Sequence, residues 1–367
     1  MSAQDFTTRL QLQLREAAER EERRGPAARR IAAARGALAP GLRLGPVLAA
    51  AAAGLVLLVA LWALTAGGPD PAPEPATPPG PRVVGTVPIG EALNGGGIAA
   101  FGAVWVSDSG RGQIVKVDPD SRRVTARIPV QGETEMTAAD GSLWAVRNAS
   151  GTPSGPLLRI DPRTGRIVRR IALRTPAGDP FYGGVPIAAG SRIWVGGPSG
   201  VLAVDSARNR VVGHIGLSGG YNLQNALIHH GELWLTSASG ATDRYDARTG
   251  RRLGRVRWDT GPGLISYRDR FIQVSRDAVA LVDETGRATW RTRVAQDLHI
   301  GEVLGNRVVV AGLDGVSPRE RLWELDARTG RLSRPLTLPE FSPRRIIPVG
   351  GETWVLTGGG RAVVVDG

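Results

Sequence analysis

Few residues of this 367-residue chain can do chemistry. The four histidines are His214, His229, His230 and His299. His299-Ile-Gly-Glu302 joins an imidazole to a nearby carboxylate. Such a pair could hold a divalent ion or act as a base with its acid. His229 and His230 are adjacent, and neighbours on a strand face opposite ways, so they are not expected to share a metal. His214 falls in an outer-strand pattern and is expected to be exposed. There is no cysteine, which excludes disulfides, thiolate metal sites and a cysteine nucleophile. No phosphate-binding loop or zinc spacing occurs. The expectation is a protein without a catalytic residue set, bound metal or cofactor.

The elements that must position these residues are set by a repeat. Trp105, Trp144, Trp194, Trp234, Phe271, Val308 and Trp354 return at intervals of about forty residues. Each is followed, after 11 to 18 residues, by an aspartate: Asp118, Asp161, Asp205, Asp246, Asp283, Asp326 and Asp366. That period, with several short alternating strands per unit, predicts β-propeller blades. The aspartates close tight turns, often as Asp-x-x-Thr-Gly-Arg, with the carboxylate accepting backbone N–H bonds and the glycine taking positive φ. The chain stops after a third strand, Ala362–Asp366, while a fourth-strand pattern, Arg82–Ile89, stands alone upstream. The N-terminal strand is therefore expected to complete the last blade and remove an open edge. The fold class is all-β, a seven-bladed propeller over 82–367.

The repeat wording resembles known families. Leu158-Arg-Ile-Asp161-Pro-Arg-Thr-Gly165 and Leu322-Trp-Glu-Leu-Asp326-Ala-Arg-Thr-Gly330 resemble bacterial PQQ-like and YVTN/NHL-type propeller repeats, and the Gly-x-Leu-Trp phrases resemble those of streptogramin lyases. The resemblance covers 82–367 and implies the propeller fold. Streptogramin lyases use His and Glu with magnesium, but their spaced set is not recognisable here. Quinoprotein dehydrogenases resemble longer, usually eight-bladed propellers, often with adjacent cysteines that this chain lacks.

In such propellers the second-to-third and outer-to-next-inner connections share one face, so long loops mark a binding side. The long ones are Asn148 to Pro156, Gly312 to Arg321, Arg174 to Gly184 and Gly219 to Asn225. They offer Asp179, Phe181, Tyr182, Tyr221, Asn222 and Gln224. Asn94, Glu135, His299 and Arg344 are expected nearer the channel mouth. Aromatics with amides suit a sugar, peptide or protein surface. The alternative is that these side chains pack the loops against one another.

Upstream, the composition changes. Residues 46–66 carry no charge and are long enough to span a bilayer core of ~30 Å as a helix. Nine arginines lie in residues 1–45, and no basic residue occurs between Arg43 and Arg82. The positive-inside rule then predicts a cytoplasmic N-terminus and an extracytoplasmic propeller. Residues 67–81 are a Pro-rich linker, in which the thirteen residues 69–81 are expected to be extended over about 40 Å. Within 1–45, Phe6, Leu10, Leu14 and Ala17 follow helical spacing, so this basic segment is expected to be partly helical.

The net charge is +12, but only one of the 46 basic residues is a lysine (Lys116). Together with the Ala, Gly and Pro excess this reads partly as coding bias, and an extracytoplasmic propeller is not expected to meet nucleic acid. The resulting expectation is a membrane-anchored, extracytoplasmic, non-enzymatic binding or scaffolding module of the cell envelope. Its partner would be an envelope protein, glycan or peptide at the loop face. One alternative is a transmembrane sensor that signals through a cytoplasmic partner of residues 2–35, although the zinc-binding signature of anti-sigma factors is missing. The other is a lyase-like enzyme that uses His299 and Glu302.

Overall fold

The computed structural model describes residues 80–366, apart from 149–151, 198–199, 218–222, 238–239, 258–262, 317–318 and 340–341. For Gln224 and His299 it describes the backbone alone. The cytoplasmic segment, the apolar run 46–66, nearly all of the Pro-rich linker, Tyr221 and Asn222 lie outside the described residues. Among the described residues no helix is long and apolar enough to cross a membrane.

Among the described residues the chain forms seven antiparallel four-stranded sheets. Blades 1 to 6 span 97–129, 134–171, 185–216, 223–257, 263–293 and 297–337, and blade 7 joins 343–366 to 82–88. Each inner strand touches those of both neighbouring blades, so the ring closes around a central channel. Second strands such as Ala103–Asp108 are buried throughout. They lie between two sheets, which is why they read as unbroken apolar runs. Outer strands such as Arg123–Pro129 and Arg252–Arg257 alternate exposed and half-buried positions. Their arginines discourage edge-to-edge pairing.

The core lies between blades. Trp144, Val146, Leu157 and Leu173 of blade 2 pack with Ile193, Val195 and Leu202 of blade 3. The aspartate turns bind as their residue types predict. Asp246 Oδ1 accepts the Arg248 N–H, the Thr249 N–H and the Thr249 hydroxyl at 3.1, 2.7 and 2.7 Å. Asp326 repeats the pattern with Arg328 and Thr329. The Arg163 N–H at Asp161 and the Thr249 hydroxyl at Asp246 hold those carboxyls below their ordinary value. Gly250 and Gly330 take φ of 75° and 71°, as the turn requires.

The ring closes through its N-terminal strand. Arg82 to Pro88 pairs antiparallel with Arg361 to Asp366. Arg82 Nη2 lies 2.9 Å from Asp366 Oδ2, and Val87, Ile89 and Leu93 enter the core beside Val104 and Trp354.

Two expectations are corrected. His214 is half-buried, with no hydrogen-bond partner for Nε2, because its imidazole fills the space left by Gly200 on the third strand. His229 and His230 do not diverge: their ring centroids are 4.2 Å apart. His230 takes φ of 47°, which breaks strand alternation. His229 itself is buried against Trp234 and Phe271, with Nδ1 2.8 Å from Ser266 Oγ. Blade 6 also departs from the regular pattern. Its outer strand shrinks to Leu336–Thr337 plus a bridge from Leu325 to Leu332. Ser333 Oγ instead accepts the Glu324 N–H, and Pro335 has no N–H for a ladder.

Candidate functional site at the channel mouth

Antiparallel meanders place the second-to-third loops and the outer-to-inner connections at one end of every blade, here called the loop face. Inner strands start there. In three of them an extra residue interrupts pairing at the same level. Leu223 opposes Ser237 and Asn225 opposes Thr236, leaving Gln224 unpaired. Leu298 and Ile300 oppose Gly312 and Ala311, leaving His299 unpaired. Pro343 and Arg345 oppose Thr357 and Leu356, leaving Arg344 unpaired. Bulges re-aim side chains and recur beside functional sites. Three of the ten sequence-selected residues thus occupy equivalent bulge positions in blades 4, 6 and 7.

Below these bulges the channel is charged. Two cavities, of ≈ 530 and ≈ 660 Å³, share Asn225, Ala226 and Arg345 in their walls. Glu135 lines the first, and Glu302 and Arg344 line the second. Arg345 Nη1 stands 4.0 Å from Glu135 Oε2. This pair links blades 7 and 2 past blade 1, whose inner strand is only Gly97–Ala100. The preceding Gly96 lies so close to blade 2 that a Cβ would stand 2.6 Å from Glu135 Oε2. Burial pushes the Glu135 carboxyl up against the pull of Arg345. It also raises Glu302, opposed by the Val303 N–H and by Arg345. Glu133 is raised in the same way, opposed by Asn148 and Arg344.

The remaining candidates separate. Asn94 is exposed on the connection into blade 1. Asp179 is exposed, and its carbonyl accepts the Thr175 N–H at 2.9 Å. Phe181 is fully buried in the core between blades 2 and 3, so it anchors its loop and offers no surface. Its neighbour Tyr182 is 42% exposed. Sequence reasoning missed Arg345 and Glu133. The available signal was the Arg344-Arg345 pair at an inner-strand start, but period-two alternation would send only one of them to the channel. Among the described residues no three His, Asp or Glu side chains gather as a metal site.

Seven closed four-stranded blades make the protein a β-propeller. Its repeats are similar to those of PQQ-like propellers: the family model described as outer membrane protein assembly factor BamB matches residues 238–367. Two solved structures share the architecture. BamB from Moraxella catarrhalis is 15% identical with a TM-score of 0.53, over 76% of this chain and 84% of that one. The Cps50 (Swd1) β-propeller domain of Myceliophteria thermophila is 12% identical with a TM-score of 0.62, over 78% of this chain and 99% of that one. These likenesses show the fold. No curated protein matches the sequence.

Proposed function

We propose that this protein is a membrane-tethered, extracytoplasmic and non-enzymatic recognition module that binds an envelope protein, peptide or glycan at its channel mouth. One observation carries the reading. The bulges at Gln224, His299 and Arg344 ring the same opening in which Glu135, Glu302 and Arg345 line adjoining cavities. A rigid scaffold that presents irregular strands and partly paired charges at one mouth suits binding. The uncharged run 46–66 and the arginine asymmetry around it support the tether. The family model's description names an assembly factor, and a scaffolding role agrees with it.

The test is a crosslinked pull-down from native membranes. It compares the full chain, a chain lacking residues 1–45 with a neutral anchor, and Arg345→Gln. Partners retained on the deletion and lost with Arg345→Gln support recognition at the mouth. Partners lost on the deletion and indifferent to Arg345→Gln refute it and turn attention to the cytoplasmic segment.

A further inference from the structure

The face opposite the channel mouth carries the aspartate turns, and its charge is uneven. In blades 2, 3 and 4 each turn sets two arginines against one aspartate: Arg163 and Arg166 with Asp161, Arg208 and Arg210 with Asp205, Arg248 and Arg251 with Asp246. All six arginines are exposed. The aspartates are engaged with backbone N–H groups of their own turns. Among the described residues Arg163, Arg166, Arg248 and Arg251 have no carboxylate within 4.0 Å, while Arg208 pairs with Asp205 at 2.8 Å. The blade 6 turn repeats the balance of blades 2–4, with Arg328 and Arg331 against Asp326, whereas the blade 5 turn reverses it, with Asp283 and Glu284 against Arg287.

The same three blades carry a second feature. Where each outer strand leaves its turn, one residue is skipped in the pairing with the third strand. That residue is Val168, Val212 or Leu253, exposed by 48, 39 and 37%. Blades 1 and 5 place Thr125 and Thr289 at this position, and the closing strand of blade 7 places Val84 there, exposed by 38%. An apolar residue thus stands beside a basic turn three times in succession on one rim. The chain also enters the propeller on this face, since Arg82 opens the closing strand opposite Asp366. That point is on blade 7, across the ring from blades 3 and 4.

Basic side chains interleaved with exposed apolar ones suit an anionic bilayer surface: the charges meet phosphate headgroups and the apolar groups enter the interface. We propose that the turn face of blades 2–4 docks on a membrane rich in anionic phospholipid. This inference rests on the membrane-tethered reading. The Pro-rich sequence of residues 67–81 is expected to extend over about 40 Å, a length that leaves the face able to reach the headgroups. Attachment at blade 7 and contact at blades 2–4 then hold the ring flat, with the channel mouth directed away from the bilayer.

The test reconstitutes the full chain into nanodiscs of phosphatidylcholine, alone or mixed with phosphatidylglycerol. The cysteine-free sequence allows one clean label, at Ala207→Cys on the blade 3 turn or Asn94→Cys on the loop face. A headgroup-borne quencher reports proximity. The expected result is quenching at position 207 and not at 94, in phosphatidylglycerol discs only. It should be erased near 0.5 M salt, where the Debye length falls to about 4 Å. Replacing Arg163, Arg166, Arg248 and Arg251 by Gln should lower the docked-to-undocked ratio about fivefold per arginine. The triple variant Val168→Ser, Val212→Ser, Leu253→Ser should weaken docking and leave its salt dependence in place. Equal signals at 207 in the two lipids overturn the proposal. A chain that does not partition into discs refutes the tether instead. Co-sedimentation of that chain with phosphatidylglycerol vesicles then decides the docking face: loss in the Arg→Gln variant supports it, and no co-sedimentation at all overturns it.

Discussion

Arg122 of blade 1 and Glu352 of blade 7 meet at 2.6 Å across the seam where the ring closes. The same guanidinium donates to the Val84 carbonyl at 3.2 Å, so it grips the closing strand as well as the blade that strand completes. Both side chains are about one-third exposed, which discounts the ion pair. Arg122→Ala should therefore cost about 1 kcal/mol. Limited proteolysis within 82–88 should accelerate by more than cleavage elsewhere. Unchanged cleavage there would show that the strand is held by its ladder with Arg361–Asp366 alone.

Between blades 1 and 2 the stitch is a lysine. Lys116 Nζ lies 5.1 Å from the Trp105 ring centroid and donates to the Pro162 carbonyl at 2.9 Å. Arg159 repeats this over Trp144, reaching Ser206 O and Asn209 in blade 3. In blade 3 the equivalent residue is Ala203, and there Trp194 Nε1 itself donates across to Ala247 O at 2.8 Å. Lys116→Met should cost about 1 kcal/mol in urea unfolding, from the lost cation–π contact and the orphaned carbonyl. Lys116→Arg should restore most of that, following the blade 2 arrangement.

Much of this architecture was legible because it is written locally. Trp105 and Asp118 each sit on a period-two pattern or in a turn of fixed spacing, and both roles depend on neighbours a few residues away. The closing strand was legible from the surplus of one strand pattern at Arg82 and the deficit of one after Asp366. The site was less legible. A bulge at His299 or Arg344 leaves no mark in composition, yet it changes which residues face the channel, and so Arg345 was missed. Phe181 looked like a loop aromatic because nothing in its own segment reveals that Trp144 and Leu202 receive it. His214 looked exposed because the space it fills is made by Gly200, fourteen residues upstream.

The Phe181 loop can be tested through Gly197. A Cβ there would run into the Tyr182 carbonyl and stand 2.9 Å from Phe181 Cζ. The obstruction is backbone, so it yields only if the Arg174 to Gly184 connection moves. Gly197→Ala should cost about 1–3 kcal/mol. It should also raise amide exchange through residues 174–184 while the blade 5 strands stay protected. A variant with unaltered exchange in that segment would contradict this packing.

Acid should loosen the fold first through its histidines. Burial holds His229 and His214 below their ordinary value, with His230 adding to the effect at His229. Glu284, Glu232 and Asp269 pull His229 the other way. A group depressed on folding binds fewer protons in the native state. Its stabilisation is complete above the unfolded value near 6.5 and is lost as pH falls through the folded value. The turn aspartates are depressed as well, but their contribution fades only below the ordinary carboxylate range. Stability measured by urea midpoint should thus fall as the pH drops below about 6.5, before the aspartates respond. His214→Gln with His229→Gln should flatten that first limb and leave the second.

At the channel mouth, Arg345 has one carboxylate at 4.0 Å, that of Glu135, and its own side chain is 46% exposed. A pair so long, with its arginine nearly half exposed, contributes little to folding. Arg345→Gln should shift stability by less than about 0.5 kcal/mol. If the mouth is the recognition surface, the same change removes a charge from the walls of both adjoining cavities. Partner affinity should then drop by about tenfold or more, as expected for an arginine at the centre of an interface. Glu135→Gln separates two versions of this. A cationic partner group needs that carboxylate and should bind worse, whereas an anionic one should bind better once Arg345 is released. Equal binding by wild type, Arg345→Gln and Glu135→Gln, measured on folded protein, would remove the channel mouth from consideration. The exposed loops around Tyr182 would then be the place to look.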